Sequence, residues 1–224
     1  MRIARPWALE LDYTREMMLP LLLHDTDWPR RVLQIGLGAA SVTKFLYRHR
    51  PRAYITVVEI EPRVTAAARQ FFKLPDDDER ITIHHADGAD FLVTAKHDYD
   101  LILVDGFDAE ARTGRLDTLP CYLDCRARLA EDGLLAVNLL SRRKDFRHSV
   151  KSLEEAFDGH AVAFSSCDSG NAIALAANPP TPTATLGELK AAATRLKRDT
   201  GLNLLPTLTR LAQSRHFAGG VFTL

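Results

Sequence analysis

Apolar runs of strand length alternate with amphipathic helical patterns from Arg31 to about residue 158. This alternation predicts a parallel sheet, because each parallel strand needs a crossover connection and a helix supplies it. The predicted strands lie at residues 31–36, 54–60, 81–86, 99–104 and 133–140. The predicted helices between them lie near residues 40–50, 62–73, 88–95, 118–130 and 145–158. The fold class is therefore α/β.

The last two β-like runs break this alternation. Residues 161–167 and 171–178 are separated only by Asp168, Ser169 and Gly170. A link of three residues is too short for the crossover connection that parallel strands need. The two strands are therefore predicted to pair as an antiparallel hairpin. The result is a seven-stranded, mostly parallel sheet that ends in an antiparallel hairpin. This is the arrangement of the Rossmann-like adenosylmethionine-dependent methyltransferase fold, whereas an NAD-binding sheet more often stays parallel to its edge.

The segments on either side of this sheet are helical in pattern. Residues 1–30 predict an N-terminal helical segment that packs on the main domain and is kinked at Pro20. Residues 31–180 form the Rossmann-like domain, and residues 181–224 form a C-terminal helical tail of the same domain. A chain of 224 residues is long enough to bury one α/β core without disulfides.

Composition excludes several kinds of partner. The chain has 29 basic and 29 acidic side chains, so it lacks the net positive field expected for binding nucleic acid or an anionic membrane. Its N-terminus has no secretion-signal pattern, and no apolar run reaches the length of a membrane span. Cys121, Cys125 and Cys167 form no paired metal-binding motif. We therefore expect a cytoplasmic protein that binds no nucleic acid, membrane or metal.

Glycines and acidic residues follow the first four predicted strands where each strand ends. Gly36 and Gly38 form a G-x-G turn, where backbone N–H groups and a helix N-terminus can approach a nucleotide-like ligand. Glu59 ends the second strand, about twenty positions after Gly38, which is the offset at which an acid reaches ribose hydroxyls. The next two strand ends carry Asp87 with Gly88, and Asp105 followed by Asp108. Because the carboxyl ends of parallel strands meet in one crevice, these residues predict a ligand site.

Each of these residues also has a plain structural explanation, because G-x-G turns serve helix packing and single acids are common in loops. Their alignment at four successive strand ends favours a ligand site instead. So acidic a crevice would repel the phosphates of a dinucleotide, but it would attract a ribose, an adenine amine and a sulfonium. The charge pattern therefore favours an adenosylmethionine-type ligand over NAD.

Five motifs occur in order between residues 31 and 140, namely "VLQIGLGAAS", "VVEIEPRV", "ADGADFL", "YDLILVDGFD" and "RLAEDGLLAVN". With these motifs the chain resembles the spermidine synthase (polyamine aminopropyltransferase) family. The resemblance implies transfer of an aminopropyl group from decarboxylated S-adenosylmethionine to a small polyamine-like amine. It also implies a homodimer and no metal.

The resemblance assigns roles to residues by their position in these motifs. It implies that Asp105 activates the amine, as a base or as a proton-accepting positioner. Asp108 matches the second Asp of the same motif, which helps to hold the amine substrate. The resemblance also implies that Glu59 binds the ribose and that the Asp-Gly pair binds the adenine. The implied nucleoside-binding residues are Gly36, Gly38, Glu59, Ile60, Asp87 and Gly88.

Three features depart from the family pattern, and all lie on the acceptor side. Ala39 occupies the place of an Asp that contacts the amine substrate. Phe107 adds bulk to the motif after the fourth strand, and Ala109 replaces its Pro. Only about thirty residues precede the first strand, where the family has a β-rich segment. The long link at residues 106–118 predicts either a mobile lid or an irregular surface loop.

Three other functions stay open at this point. A methyltransferase that uses intact S-adenosylmethionine would need the same nucleoside-binding residues. A non-catalytic nucleoside-binding protein would keep the nucleoside site and lack an acceptor site. An NAD-dependent enzyme would need a catalytic residue facing the nicotinamide, and the sequence offers no candidate for it.

Overall fold

The computed structural model of the protein describes residues 4–76, 79–108, 112–167, 170–213 and 215–224. Seven strands form its central sheet: β1 (Arg31–Ile35), β2 (Tyr54–Glu59), β3 (Ile81–His85), β4 (Tyr99–Val104), β5 (Leu129–Leu140), β6 (Ala161–Ser165) and β7 (Asn171–Ala177). Their order across the sheet is β3-β2-β1-β4-β5-β7-β6. Strands β1 to β5 run parallel to one another. The predicted α/β fold with a seven-stranded, mostly parallel sheet is therefore confirmed.

The sheet ends in the antiparallel hairpin that the short link predicts. Strand β7 pairs antiparallel with β6, where Ala163 lies opposite Ala174. The other edge of β7 pairs antiparallel with β5. Gly170 of the link is described, whereas residues 168 and 169 lie outside the described residues. This antiparallel end is the feature that separates the fold from a purely parallel nucleotide-binding sheet.

Eight α-helices are described: α1 (Asp12–Glu16), α2 (Ser41–His49), α3 (Pro62–Phe72), α4 (Gly88–Thr94), α5 (Leu119–Ala127), α6 (Phe146–Ala156), α7 (Leu186–Thr200) and α8 (Leu205–Leu211). Helix α3 begins at a proline, which has no N–H that would need a partner in the first turn. The Glu61 carboxylate caps the helix by accepting a hydrogen bond from Arg63 N at 3.1 Å. Helix α7 is the longest at 15 residues, and Thr185 and Glu188 cap its start reciprocally. Among the described helices, none is long and apolar enough to cross a membrane.

Helices cover both faces of the sheet. Successive strand residues point to opposite faces, so Val32 and Leu33 belong to two separate apolar cores. One core contains α2, α7, α8 and the N-terminal segment, and the other contains α4, α5 and α6. Both faces of the central strands are buried, which explains why these strands are continuous apolar runs in the sequence.

The N-terminal segment differs from the single kinked helix that the sequence predicts. It consists of the short helix α1 and a separate 3₁₀ helix at Leu19–Leu22. Pro20 lies in the first turn of that 3₁₀ helix. A proline lacks an N–H and disfavours the α conformation of the residue before it, so the α-helix cannot continue through Leu19.

The end of α5 and the make-up of the C-terminal tail also differ from the expectation based on the sequence. Helix α5 ends at Ala127 rather than near residue 130, because Leu129 already pairs with Tyr99 in the sheet. The C-terminal tail contains a second small sheet in which β8 (Thr183–Thr185) pairs antiparallel with β9 (Val221–Thr223). In both cases pairing between distant residues overrides the local pattern.

Candidate active site

The carboxyl ends of β1, β2 and β3 meet the loop after β4 around a cavity of about 220 Å³. Parallel strands of a doubly wound sheet open such a crevice at this edge, where the chain order reverses between β1 and β4. Five of the six residues assigned to the nucleoside line this cavity, namely Gly36, Glu59, Ile60, Asp87 and Gly88. We call this space the nucleoside cavity.

The G-x-G turn forms one wall of the nucleoside cavity. Gly36 and Gly38 have φ angles of +89° and +51°, in the region that favours glycine. A Cβ on Gly36 would lie 2.2 Å from the carbonyl oxygen of Asp105, whereas a Cβ on Gly38 would meet nothing within 4 Å. Gln34 braces the turn by donating to Gly36 O at 2.7 Å, and it accepts from Thr43 Oγ1 at 2.8 Å. Gly36 is therefore required for close approach to the β4 loop, and Gly38 only for its backbone conformation.

Glu59 lies at the end of β2 with its carboxylate buried against the same turn. Oε2 accepts from Leu37 N at 2.9 Å, and Oε1 accepts from Glu61 N at 3.0 Å. A carboxylate oxygen has two lone pairs, so each oxygen can accept one further hydrogen bond from a ligand hydroxyl. Ile60 follows with 68% of its surface exposed, and it offers an apolar face to the cavity.

Asp87 caps helix α4 at the far side of the nucleoside cavity. Its Oδ1 accepts from Ala89 N at 2.8 Å, and its Oδ2 lies 3.8 Å from Arg115 Nη1. Arg115 also pairs with Asp90 at 2.7 Å. A Cβ on Gly88 would lie 2.4 Å from Ile35 Cγ2, so only a glycine allows this helix to approach β1 so closely. The capping bonds hold the Asp87 carboxylate in a fixed position at the cavity wall.

Asp105 lines a different cavity, of about 110 Å³, on the other side of the G-x-G turn. We call this space the inner cavity. Gly38 lines it as well, together with Ala39 and the N-terminus of α2 at Ser41. Tyr13 of α1 also lines this cavity. The turn thus separates the predicted catalytic residue from the nucleoside cavity, and its two glycines face opposite sides.

Two side chains hold the Asp105 carboxylate. Val104 of β4 and Val137 of β5 are register partners, so the residues that follow them, Asp105 and Asn138, are neighbours. Asn138 Nδ2 donates to Asp105 Oδ1 at 2.8 Å, and the side chain of Tyr13 hydrogen-bonds the same carboxylate. Burial raises the pKa of Asp105 to about 6, although both hydrogen bonds act to lower the pKa. A carboxylate with this pKa is suited to accept a proton near neutral pH.

Asn138 and Tyr13 are site residues that sequence reasoning missed. In the sequence Tyr13 shares a helical face with Met17 and Leu21, a pattern that is typical of core residues. Asn138 lies within the apolar run "GLLAVNLL" and is only 3% exposed, and its Oδ1 has no hydrogen-bond partner among the described residues. A buried amide in a strand costs stability when it is not fully paired. That single polar residue at the carboxyl end of a strand was the available signal.

Asp108 does not lie with Asp105. It lines the nucleoside cavity, whereas Asp105 lines the inner cavity. Its carboxylate accepts from Arg112 N and from Arg112 Nε, both at 2.8 Å, and Asp108 N donates to Arg112 O at 2.9 Å. These contacts close the loop after β4 on itself. Residues 109–111, within the predicted lid, lie outside the described residues.

Arginines make the nucleoside cavity less acidic than the sequence suggests. Arg112 and Arg115 both line it; Arg112 pairs with Asp108, and Arg115 lies 3.8 Å from Asp87, both of which line the same cavity. Neither arginine follows a strand directly, so the pattern of residues at the strand ends does not predict them. Within the described residues, no group of three or more His, Cys, Asp or Glu side chains is placed to hold a metal ion.

Comparison with known proteins shows the family to which this chain belongs. A sequence profile described as "Spermine/spermidine synthase domain" matches residues 11–166. The chain is 34% identical over 224 residues to a polyamine aminopropyltransferase of Neisseria meningitidis serogroup A, a match that covers 100% of this chain and 85% of that protein. The chain belongs to the spermine/spermidine synthase family. The family assignment confirms the resemblance seen in the motifs.

Solved structures show the same fold. Human methyltransferase-like protein 13 in complex with SAH aligns with a TM-score of 0.76 at 23% identity, over 85% of this chain and 92% of that one. A spermidine synthase in complex with the transition state analogue AdoDATO aligns with a TM-score of 0.67 at 25% identity. That match covers 77% of this chain and 62% of the other. The fold of this spermine/spermidine synthase family member is therefore shared with a protein named as a spermidine synthase and with one named as methyltransferase-like.

Proposed function

We propose that the protein transfers an aminopropyl group from decarboxylated S-adenosylmethionine to a primary amine, with Asp105 as the group that accepts the amine's proton. The observation that carries this proposal is the position of the G-x-G turn between two cavities. Gly36 faces the nucleoside cavity, and Gly38 faces the inner cavity that contains Asp105. A sulfonium held beside this turn can present its alkyl group to an amine on the Asp105 side.

The nucleoside half of the proposal rests on Glu59 and Asp87. Both carboxylates are held by backbone N–H groups at the cavity wall and keep free lone pairs for ligand donors. Glu59 is the proposed acceptor for the ribose hydroxyls, and Asp87 is the proposed acceptor for the adenine amine. Ile60 offers an apolar surface against which a flat base can pack.

The transfer step is a direct displacement. An ammonium has no lone pair, so the acceptor first loses a proton, which Asp105 takes. The nitrogen lone pair then forms the new N–C bond while the S–C bond breaks, and its electron pair goes to sulfur. The products are a secondary ammonium, which takes up the positive charge that the sulfonium loses, and the neutral thioether methylthioadenosine. Holding the two substrates on either side of one rigid turn contributes mainly through proximity and orientation.

Methyl transfer from intact S-adenosylmethionine is the second candidate, and Ala39 favours it. The ammonium of an aminopropyl group needs a carboxylate partner near the turn, and an alanine cannot supply one. Ala39 lies beside the N-terminus of α2, where Ala40 provides no side-chain cap. Free N–H groups at a helix N-terminus favour a carboxylate, which intact S-adenosylmethionine has and the decarboxylated donor lacks.

The experiment that tests the proposal offers both donors separately, with a panel of primary amines, and identifies the nucleoside product. Methylthioadenosine would report aminopropyl transfer, and S-adenosylhomocysteine would report methyl transfer. Asp105→Asn is the control, and its turnover should fall roughly a hundredfold or more because it lacks a general base. Tight nucleoside binding without turnover of any amine would leave the non-catalytic binding protein as the answer.

A further inference from the structure

Arg115 lines the nucleoside cavity beside the proposed adenine site, and none of the sequence motifs assigns it a role. Its Nη1 lies 3.8 Å from Oδ2 of Asp87, the carboxylate proposed to accept the adenine amine. The same nitrogen lies 2.7 Å from Asp90 Oδ1 in the first turn of α4. A hydrogen-bond donor and a hydrogen-bond acceptor therefore lie side by side at this wall of the cavity.

The two carboxylate oxygens of Asp87 are not equally available to a ligand. Oδ1 accepts from Ala89 N at 2.8 Å and from Asp90 N at 3.3 Å, so it forms the cap of α4. Oδ2 makes no hydrogen bond within the described residues, since Arg115 Nη1 at 3.8 Å is beyond hydrogen-bond distance. Oδ2 is therefore the oxygen that is open to the amine of a base, and it is the one beside Arg115.

The backbone that carries Arg115 is fixed to the rest of the domain. Arg115 lies in the 3₁₀ helix Gly114–Asp117. The carboxylate of Asp117 accepts from Tyr122 Oη at 2.7 Å and from Ser149 Oγ at 2.6 Å, which belong to α5 and α6. These two hydrogen bonds hold the 3₁₀ helix, and the ion pair to α4 orients the guanidinium. A donor that is already oriented loses less side-chain entropy when it binds a ligand.

Adenine presents groups that match this donor and acceptor. Along one edge of the base the exocyclic N6 amine donates and the ring nitrogen N7 accepts. An Asn or Gln side chain binds both atoms, because its amide has one acceptor and one donor. Asp87 Oδ2 and Arg115 Nη1 supply the same combination from two side chains. A guanidinium has five N–H donors, so Arg115 can keep its pair with Asp90 while it donates to N7.

The spacing of the two side-chain atoms favours N7 over N1, the other ring nitrogen near the amine. N1 is bonded to the same carbon as the amine, whereas N7 is bonded to the neighbouring carbon and lies further from the amine. Two parallel hydrogen bonds need a similar spacing on both sides, and Oδ2 and Nη1 are 3.8 Å apart. The wider pair of atoms, N6 and N7, fits this separation better than N6 and N1.

We infer that Arg115 is a further nucleoside-binding residue, which donates a hydrogen bond to N7 of the adenine while Asp87 accepts one from the amine. The sulfonium donor and the product methylthioadenosine contain the same adenine, so Arg115 binds both in this way. This inference rests on the nucleoside half of the proposed function. It does not depend on which alkyl group is transferred or on which amine accepts it.

The test compares methylthioadenosine with its 7-deaza analogue, in which a C–H group replaces N7 and the amine is kept. Calorimetry with the full chain measures both dissociation constants. The wild type should bind the 7-deaza analogue roughly tenfold or more weakly, which is the effect of losing one hydrogen bond to a charged group. Arg115→Met keeps the length of the side chain and has no donor, so it should bind the two nucleosides with affinities within about twofold of each other.

Arg112→Met is the matched control. Arg112 lines the same cavity, and its side chain is 60% exposed, as is that of Arg115. Its Nε donates to Asp108 Oδ2 at 2.8 Å, so the guanidinium is held at the loop after β4 rather than beside Asp87. Arg112→Met should therefore keep the weaker binding of the 7-deaza analogue relative to methylthioadenosine.

Three results would overturn the inference and leave the proposed transfer intact. The first is equal binding of the two nucleosides by the wild type. The second is the same preference for methylthioadenosine in Arg115→Met as in the wild type. The third is loss of this preference in both arginine variants, which would assign it to the overall charge of the cavity. If methylthioadenosine itself does not bind, the proposed nucleoside site fails, and the inference fails with it.

Discussion

Asn138 on β5 donates a hydrogen bond of 2.8 Å to Asp105 at the end of β4, and its own buried Oδ1 has no hydrogen-bond partner in the part of the chain that the structure describes. A buried amide whose N–H is hydrogen-bonded but whose oxygen has no partner lowers the stability of the folded state by about 1–3 kcal/mol. An apolar residue would fill that place in the core without this cost. The amide is therefore explained by what it does to Asp105 rather than by the stability of the fold.

Asn138→Leu should move the acid limb of the pH–rate profile to higher pH. The variant keeps a similar side-chain volume and removes an N–H donor that stabilises the charged form of Asp105. The pKa of Asp105 would rise further by about one to two units, the equivalent of one hydrogen bond to a charged group. The measurement is kcat/KM against pH, with the carboxyl band of Asp105 followed by infrared difference spectroscopy as a readout that needs no turnover.

Asn178→Leu is the matched control for this prediction. Asn178 also makes side-chain hydrogen bonds at the end of a strand, with Arg126, but it lines neither cavity. Its loss should lower stability without moving the acid limb. If both variants shift the limb equally, or if neither does, Asn138 has only a structural role.

Glu59→Gln should weaken nucleoside binding by roughly tenfold or more. The carboxylate accepts one backbone N–H at each oxygen, from Leu37 and from Glu61. A glutamine can accept a hydrogen bond from only one of these two N–H groups, because its NH₂ group then faces the other. The substitution therefore disturbs the G-x-G turn and also removes the negative charge. Calorimetry with methylthioadenosine measures the change. Glu61→Gln is the control because Glu61 contacts Arg63 at the start of α3, and a folded Glu59→Gln protein with unchanged affinity would remove the ribose assignment.

Gly36→Ala and Gly38→Ala should differ sharply in stability. Gly38 has a positive φ and open space around it, so its replacement should cost about 1–2 kcal/mol for the left-handed conformation alone. At Gly36 the added methyl carbon would lie 2.2 Å from Asp105 O, so the β4 loop must move as well. Urea unfolding of the two variants, with nucleoside binding measured in parallel, should show the larger loss for Gly36→Ala. Equal losses would mean that the close approach between the loops is not needed.

Much of the fold was predictable because it depends on local patterns. The alternation of apolar runs and helical segments predicts β1 to β5, and the link before Asn171 is too short for anything except a hairpin. Glu59 and Asp87 were predictable as neighbours, since both end adjacent parallel strands and such ends meet at one edge.

The division of the site into two cavities was not predictable from these patterns. Asp105 and Asp108 are three residues apart in the sequence, yet Asp105 lines the inner cavity and Asp108 lines the nucleoside cavity. Tyr13 reaches Asp105 from a helix more than ninety residues earlier in the chain. Arg112 reaches Asp108 within an irregular loop, where sequence periodicity carries no information. Contacts of these kinds depend on tertiary packing, and no spacing rule describes them.

Asp105→Asn should stabilise the protein at neutral pH and not at acid pH. Burial raises the pKa of Asp105 from 3.8 to about 6, so the folded state holds this proton more tightly than the unfolded chain does. The contribution of Asp105 to stability is therefore fully present below about pH 4 and is lost as the pH rises through about 6. Over that window the free energy of unfolding of the wild type should fall relative to the variant by up to about 3 kcal/mol.

Urea unfolding at about pH 4, 5, 6 and 7.5 measures the stability difference between Asp105→Asn and the wild type. Asp145→Asn is a control of opposite sign, because a hydrogen bond from Arg143 lowers the pKa of Asp145. Asp145 therefore stabilises the folded state most at neutral pH, and its replacement should lower stability there rather than raise it. A stability difference for Asp105→Asn that stays constant from about pH 4 to 7.5 would show that the folded protein does not raise this pKa. Asp105 would then be a weaker base than a carboxylate with a pKa of about 6, and it would be less able to take a proton from the acceptor amine.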